Sequence, residues 1–173
     1  MAAGRSPILR VALAASFALI ATWACGPSAP SVHGRFEASA VEVDIQLEQT
    51  DAATTLVATF RPLKDGLHLY GRDLPMDGIG GTGRPTRVDV VDAGWRAIGP
   101  AQPSVDAENV TLAGFDEPFP TYPDGPVTMR QAIESIGDSD DGRIDVAVTF
   151  MACASGNVCF PAVERHAMSL PSG

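Results

Sequence analysis

Apolar and polar residues alternate in two stretches near the C-terminus. Large apolar side chains occupy every second position of residues 144–150, and a weaker alternation runs through residues 163–170. This period of two is typical of strands with one face in a core. Cys153 and Cys159 lie between the two stretches, around a Ser-Gly-Asn sequence that tolerates left-handed backbone at a turn. The pattern predicts two strands, with the cysteines facing each other across a hairpin, close enough to bridge.

Short alternating stretches also fill most of the remaining chain. We predict strands at residues 36–47, 55–60, 67–70, 86–91, 95–98 and 127–133. We predict loops or turns at residues 74–83, 100–109 and 137–142, and about one turn of helix is conceivable only at 131–136. Many short strands separated by turn signals predict an all-β fold, an immunoglobulin-like antiparallel β-sandwich.

The first 24 residues have the organisation of an export signal. Arg5 and Arg10 form a positive region, and the apolar run at residues 11–20 is too short to span a membrane as a mature helix. We therefore exclude residues 1–24 from the fold and expect an exported protein.

Cys25 follows the small residue Ala24 at the end of this segment, which indicates lipoprotein processing with lipidation of Cys25. Ordinary cleavage nearby is the alternative. If the other two cysteines pair with each other, Cys25 has no cysteine partner, and lipidation would remove its free thiol. Residues 25–33 then form a lipid-anchored flexible tether, and residues 34–173 form one sandwich domain.

The charge balance excludes some partners. The chain has a formal net charge of -9. Such an acidic balance argues against nucleic acid as a partner and against a polybasic membrane patch. We therefore expect contact with a membrane only through the lipid anchor.

The two hairpin cysteines leave three uses open. A bridge between Cys153 and Cys159 would close a ring of seven residues and stabilise the fold by about 2 kcal/mol. A short-ring bridge on a loop is also well placed for exchange, because an incoming thiolate needs access to one sulfur. Structural staple and redox pair both fit, and a zinc site that adds His166 is a third use, although its ligand spacing is unusual.

Several motifs together resemble one family. The sequence Cys-Ala-Ser-Gly-Asn-Val-Cys-Phe-Pro at residues 153–161 resembles the redox loop of the N-terminal periplasmic domain of the thiol:disulfide interchange protein DsbD, the disulfide bond corrector domain family. Residues 64–70 resemble its DGxHxY strand, residues 83–86 its G-x-P-T turn, and residues 115–119 fall at its cap loop. The matches follow the family order over residues 36–170.

The resemblance implies thiol:disulfide interchange in the periplasm or cell envelope, as a protein-disulfide reductase component. Cys159 would form the mixed disulfide with a partner, and Cys153 would resolve it. The partners would be a separate thioredoxin-like or membrane electron-donor protein and exported disulfide-bearing clients, and no metal or organic cofactor is implied. Two alternatives are a non-enzymatic envelope lipoprotein that binds other molecules and has a structural disulfide, and a metal-handling lipoprotein.

The resemblance also assigns residues around the cysteines. Phe119 is the candidate for an aromatic cap over the disulfide, and Tyr122 is the second candidate; the alternative is an aromatic that fixes the loop to the sandwich. Asp116 and Glu117 would lie near the thiols, where a carboxylate disfavours the thiolate and raises the pKa of a cysteine. Solvated loop acids are the alternative reading of both.

Other polar and aromatic residues are assigned from the strand pattern. His68 and Tyr70 alternate with leucines and should point to one face of their strand, which in the family lines the cysteine pocket. The alternative is a surface histidine and a half-buried tyrosine. We expect Trp95 in the core, and no partner for His33 or His166.

Overall fold

The computed structural model describes Met1 and residues 32–137, 142–154 and 158–172, which form strands joined by turns and loops. In chain order, the strands are β1 (Val32–Ala38), β2 (Val41–Gln49), β3 (Thr54–Pro62), β4 (Leu67–Leu69), β5 (Arg87–Val90), β6 (Trp95–Ala97), β7 (Gln102–Pro103), β8 (Glu108–Val110), β9 (Phe119–Thr121), β10 (Val127–Ser135), β11 (Arg143–Phe150), β12 (Ala152–Ala154), β13 (Val158–Cys159) and β14 (Val163–Pro171). This confirms the predicted all-β fold. Among the described residues, no helix is long and apolar enough to cross a membrane.

Two antiparallel sheets form the body of an immunoglobulin-like sandwich. The larger has the order β1-β2-β3-β10-β6, with β7 also paired to β10, and the smaller has the order β14-β11-β5. The alternation read in the sequence decides which side chains enter the space between them, because successive strand residues point to opposite faces. Phe60 of β3 meets Phe150 of β11 there, edge to face with ring centroids 5.7 Å apart. We call this apolar layer the main core.

The predicted single strand at residues 36–47 is wrong. The chain reverses at Ser39 and Ala40, whose φ angles are 52° and 59°, so that β1 and β2 form a tight antiparallel hairpin. Two left-handed residues match the twist of the flanking strands, but glycine, asparagine or aspartate usually occupy them. The hairpin also shows that β1 begins at Val32, two residues inside the segment 25–33 predicted as a tether.

The remaining strand predictions differ from the structure mainly in length. The predicted loop at residues 100–109 contains β7 and the start of β8, and residues 131–135 continue β10 rather than forming a helical turn. Gln131 explains part of this, because its buried amide donates to the carbonyls of Ile98 and Gly99 beside the strand. Within the predicted acidic turn, residues 138–141 lie outside the described part of the chain.

A third sheet positions the cysteines. One residue, Met151, separates β11 from β12, so the chain leaves the smaller sheet of the sandwich and enters a sheet of order β13-β12-β4. The hairpin β12–β13 therefore projects from the end of a strand that is buried in the main core. The short pair β8–β9 lies next to this sheet through a bridge between Tyr70 and Thr121.

Candidate functional site

The two cysteines are joined as a disulfide. Cys153 on β12 and Cys159 on β13 are directly opposite each other in the strand register, with Cα atoms 4.0 Å apart and an S–S distance of 2.05 Å. The Phe160 N–H donates to the Ala152 carbonyl at 2.9 Å, which continues the hairpin beyond the cysteines. The strand pattern had predicted this pairing across a hairpin, and the turn residues 155–157 lie outside the described part of the chain.

The two sulfurs differ in burial. Cys153 lies on the middle strand and is 1% exposed, whereas Cys159 is half-buried on β13, the outermost strand of its sheet. Next to it, Val158 is 66% exposed. On the other flank, the Lys64 ammonium lies 5.1 Å from the centre of the Phe160 ring. An incoming thiolate therefore reaches Cys159 more readily than Cys153.

Strand β4 places two ring side chains beside the buried sulfur. His68 is the register partner of Cys153, and Tyr70 lies two residues further along the same face. The Tyr70 hydroxyl donates to the Cys153 sulfur at 3.3 Å. The His68 and Tyr70 rings meet edge to face, with centroids 5.8 Å apart. Both residues therefore lie at the disulfide.

Burial decides the protonation of both rings. Loss of hydration lowers the pKa of His68 below its ordinary 6.5, and the negative charge of Asp124 acts in the opposite direction as the smaller cause. Loss of hydration also raises the pKa of Tyr70 above its ordinary 10. At neutral pH, His68 is therefore mainly a neutral imidazole, and Tyr70 keeps the proton that it donates to sulfur.

A second apolar cluster, separate from the main core, surrounds the disulfide. Its buried members are Tyr70, Leu74, Phe119 and Cys153, and Ile79, Leu112, Phe115, Met151 and Cys159 pack against them. We call it the disulfide cluster. Phe119 is fully buried in it, with its ring 5.6 Å from Tyr70, and Phe115 meets Phe119 edge to face at 5.0 Å. Three aromatic rings thus lie in this cluster. We call the side chains that pack against the disulfide together with Phe115 and Phe119 the cover.

A second segment of the chain, besides the one that contains Phe115 and Phe119, contributes side chains to the cover. Residues 71–84, which we call the glycine loop, contribute Leu74 and Ile79 to the disulfide cluster. Gly80, with a φ of 57°, lies directly against Phe115: a Cβ at this position would be 3.1 Å from the ring. A left-handed glycine therefore allows the loop to approach the aromatic ring closely.

Arg84 holds the glycine loop in this position. Its Nη1 atom donates to the Gly83 carbonyl at 2.7 Å, and weaker contacts reach the carbonyls of Asp77 at 3.3 Å and Gly81 at 3.4 Å. Its Nε atom donates to the Glu164 carboxylate of β14 at 2.8 Å. One guanidinium thus connects the loop to the sandwich.

The remaining cap candidates lie elsewhere. Tyr122 is buried in the main core, and its hydroxyl accepts a hydrogen bond of 3.2 Å from the Arg72 N–H. The structure therefore places Tyr122 outside the disulfide cluster. Asp116 and Glu117 are exposed, on the loop between Phe115 and Phe119.

Other predictions concern two histidines, a tryptophan, the first cysteine and a metal site. The expectation that His166 lacks a partner is wrong, because its ring stacks on Phe36 with centroids 4.0 Å apart. Trp95 is half-buried against the main core. Cys25 lies outside the described residues, and the side chain of His33 is not described. Within residues 34–137, 142–154 and 158–172, no three His, Cys, Asp or Glu side chains are grouped to hold a metal ion.

Sequence reasoning missed four residues of the cover. Phe115 belongs to the segment matched to the cap loop, but of the two aromatic residues in it only Phe119 was assigned to the cap. Leu74 and Ile79 belong to a glycine-rich segment that gave no signal beyond a loop, and Arg84 to a motif matched only as a turn. An isolated apolar residue between glycines of this loop is the sequence feature that could have indicated packing of the loop against other side chains.

One surface cavity lies away from the cysteines. It has a volume of about 250 Å³, and Arg72, Thr86, Arg87 and Gln131 are among its lining residues. None of its lining residues belongs to the disulfide cluster.

Comparisons with known proteins give one structural similarity. No family model matches the sequence, and no curated protein matches it. Among solved structures, the chain is similar to the crystal structure of the Neisseria meningitidis DsbD N-terminal domain in the reduced form. The identity is 18%, the match covers 76% of this chain and 85% of that domain, and the TM-score is 0.47. A similarity of this size carries no functional conclusion.

Proposed function

We propose that this protein is an extracytoplasmic thiol:disulfide interchange domain, in which Cys153 and Cys159 pass reducing equivalents to exported clients or thioredoxin-like proteins. The observation that carries the proposal is the asymmetry of the disulfide. One sulfur lies on an outer strand within reach of a partner, and the other is buried with a hydroxyl donor directed at it. The redox-loop resemblance at residues 153–161 supports the same function.

Reduction begins at Cys159. A partner thiolate attacks its sulfur and forms a mixed disulfide, while the bond to Cys153 breaks and leaves its electron pair on the Cys153 sulfur. The Tyr70 hydroxyl already donates to this atom, and a hydrogen bond to a charged acceptor is stronger than one to a neutral acceptor. Tyr70 therefore stabilises the leaving thiolate. This assigns the partner-bound role to Cys159 and the resolving role to Cys153.

The aromatic cover restricts access between encounters. Phe119 and Phe115 slow the reaction of small oxidants and reductants until a docking partner displaces them, because exchange is controlled by access to sulfur. Asp116 and Glu117 are exposed on the loop between the two rings, and we propose that their negative charge disfavours thiolate formation in the reduced pair. The cover thus favours proteins over small thiols as reaction partners.

A purely structural role explains the arrangement less well. A ring of this length stabilises the fold by only about 2 kcal/mol, and the strand pairing already holds its ends together. The competing function, a non-enzymatic envelope module that binds other molecules, would not need a buried hydroxyl donor on one sulfur.

The proposal includes export and a lipid anchor. Residues 1–24 act as the export signal, lipidated Cys25 retains the domain at the cell envelope, and residues 34–173 form the exchange domain. Electrons arrive from a separate thioredoxin-like or membrane protein. Cleavage before Cys25 with a mass increase for the lipid, measured on protein from a membrane fraction, tests this part.

The reduction potential tests the proposed function. We expect the disulfide to equilibrate with a dithiol buffer at a potential above about -300 mV, as exchange-active disulfides do. A potential well below this value would identify a structural staple and overturn the proposal.

Trapping tests the assignment of the two cysteines. Cys153→Ala should hold thioredoxin-fold proteins from an envelope extract in mixed disulfides through Cys159, and the matched variant Cys159→Ala should hold far fewer. Equal trapping by the two variants would contradict the assigned roles, and no trapping by either would count against interchange.

A further inference from the structure

Three strands bring an imidazole next to the redox pair. Cys159 on β13, Cys153 on β12 and His68 on β4 are successive partners in one register row. Residues directly opposite in antiparallel strands project to the same face, with Cβ atoms about 5 Å apart. His68 thus flanks the buried cysteine on the side away from Cys159.

The surroundings of His68 suit proton transfer. The side chain is half-buried, and the titratable groups beside it are its register partner Cys153, Tyr70 immediately after its own strand, and Asp124 in the turn before β10. Burial lowers the pKa of the imidazole, so that it is neutral and free to accept a proton near pH 7. Tyr70 already uses its proton as a donor to sulfur and is a poor acceptor.

We propose that His68 is the proton-transfer residue for Cys153, an inference that rests on the interchange function proposed above. When the mixed disulfide on Cys159 is resolved, the His68 imidazole takes the proton of the Cys153 thiol. The Cys153 thiolate attacks the Cys159 sulfur and forms the internal disulfide. The bond between Cys159 and the partner breaks, and its electron pair leaves on the partner sulfur. In the opposite direction, the attacking partner thiol gives its proton to the His68 imidazole, and the imidazolium passes this proton to Cys153 when Cys153 is the leaving thiolate.

Resolution by glutathione isolates this step. The reduced full chain, with Cys25→Ser in every variant to remove the third thiol, is mixed with oxidised glutathione between pH 5 and pH 9. Acid quenching and mass spectrometry then follow the glutathione adduct and the closed disulfide separately. We expect the wild-type rate of closure to fall as the pH decreases through the pKa of His68, below 6.5.

Loss of the imidazole should slow closure specifically. In His68→Gln we expect the glutathione adduct to accumulate, with closure slower by about a hundredfold near pH 7, the lower end of typical acid–base contributions. The inflection assigned to the imidazole should be absent. The matched control is His166→Gln, which removes an exposed histidine of β14 that stacks on Phe36. The closure rate of this variant and the inflection of its pH profile should equal those of the wild type.

A second variant leaves the pocket intact. Asp124 is exposed, and its charge raises the pKa of His68. Asp124→Asn should therefore move the inflection of the closure rate to lower pH without abolishing it. This test does not require a substitution at a half-buried position.

The outcomes separate the two proposals. Closure in His68→Gln with the wild-type rate and pH profile, or an unmoved inflection in Asp124→Asn, would overturn the role of His68 while interchange stands. A wild-type chain that forms no adduct and closes no disulfide with glutathione or thioredoxin would instead overturn the proposed function.

Discussion

Tyr70 connects the strand pattern to the chemistry of the site. Its position immediately after β4 directs the ring into the disulfide cluster, and the only polar atom of that ring meets the buried sulfur. Burial raises the pKa of Tyr70, so the hydroxyl remains a donor at neutral pH. Phe119 packs against the same ring. One residue thus contributes both to packing and to stabilisation of a developing thiolate.

Tyr70→Phe should slow the opening of the disulfide. The substitution retains the ring and removes one hydrogen bond, worth about 1 kcal/mol, so we expect the rate of reduction by thioredoxin to fall about fivefold. The control is Tyr122→Phe, which also removes a buried hydroxyl but from the main core. Equal rates for Tyr70→Phe and the control, measured by stopped flow, would show that the hydroxyl does not act on the leaving sulfur.

Among the elements, the glycine loop is the one that we expect to control access to the disulfide. It contributes apolar side chains to the disulfide cluster and lies against Phe115, yet the described loop is tied to β14 through the Arg84–Glu164 contact. An arginine that donates to carbonyls on its own loop and to a carboxylate outside it can set how often the loop opens. We therefore expect loss of this contact to change how often the cover opens more than it changes the free energy of global unfolding.

Arg84→Ala should make the disulfide more accessible. Loss of these hydrogen bonds weakens loop closure by about 1 kcal/mol, so reduction by a small phosphine should accelerate roughly fivefold. The free energy of unfolding in urea should change by no more than about 1 kcal/mol, since Arg84 is partly exposed. Arg96→Ala is the control, because it breaks an ion pair of 2.5 Å with Glu134 on the other sheet. A rise in rate in both variants, or in neither, would contradict a specific role for Arg84.

The elements also show how far the sequence could predict the structure. Period-two patterns located most strands, since a half-buried strand must alternate. The reversal at Ser39 and Ala40 left no signal, because tertiary pairing of β1 with β2 imposes a left-handed backbone on residues that rarely adopt it. The cysteine hairpin and the β4 face were predicted from local spacing. Contacts of Leu74 and Ile79 depend on how a long loop folds back, which local patterns do not encode.

At the scale of the whole molecule, the main core and the disulfide cluster are separate. The main core contains the facing side chains of the two large sheets, and neither cysteine belongs to it. Phe150 and Ala152 lie in the main core immediately before Cys153, so the hairpin is anchored to the sandwich without the disulfide. The redox state can therefore change without loss of the fold.

Reduction should leave a folded sandwich that is modestly less stable. Opening a ring of seven residues costs about 2 kcal/mol, well below the 5–15 kcal/mol that is typical of native domains. Urea unfolding of the oxidised and reduced chain should differ by this amount, and the far-ultraviolet circular dichroism should remain that of a β-protein. A reduced chain that unfolds without denaturant would show that the disulfide is required for the fold.

Lys64, whose ammonium lies over the ring that follows Cys159, is the only lysine in the sequence. Amine-selective labelling of the folded chain therefore attaches a fluorophore to a single side chain, at the flank of the hairpin. Such a label lies close to the hairpin in space but is attached to a neighbouring turn and not to a cysteine, so both thiols remain unmodified. The architecture thus provides a site for an optical reporter beside the disulfide without an engineered attachment point.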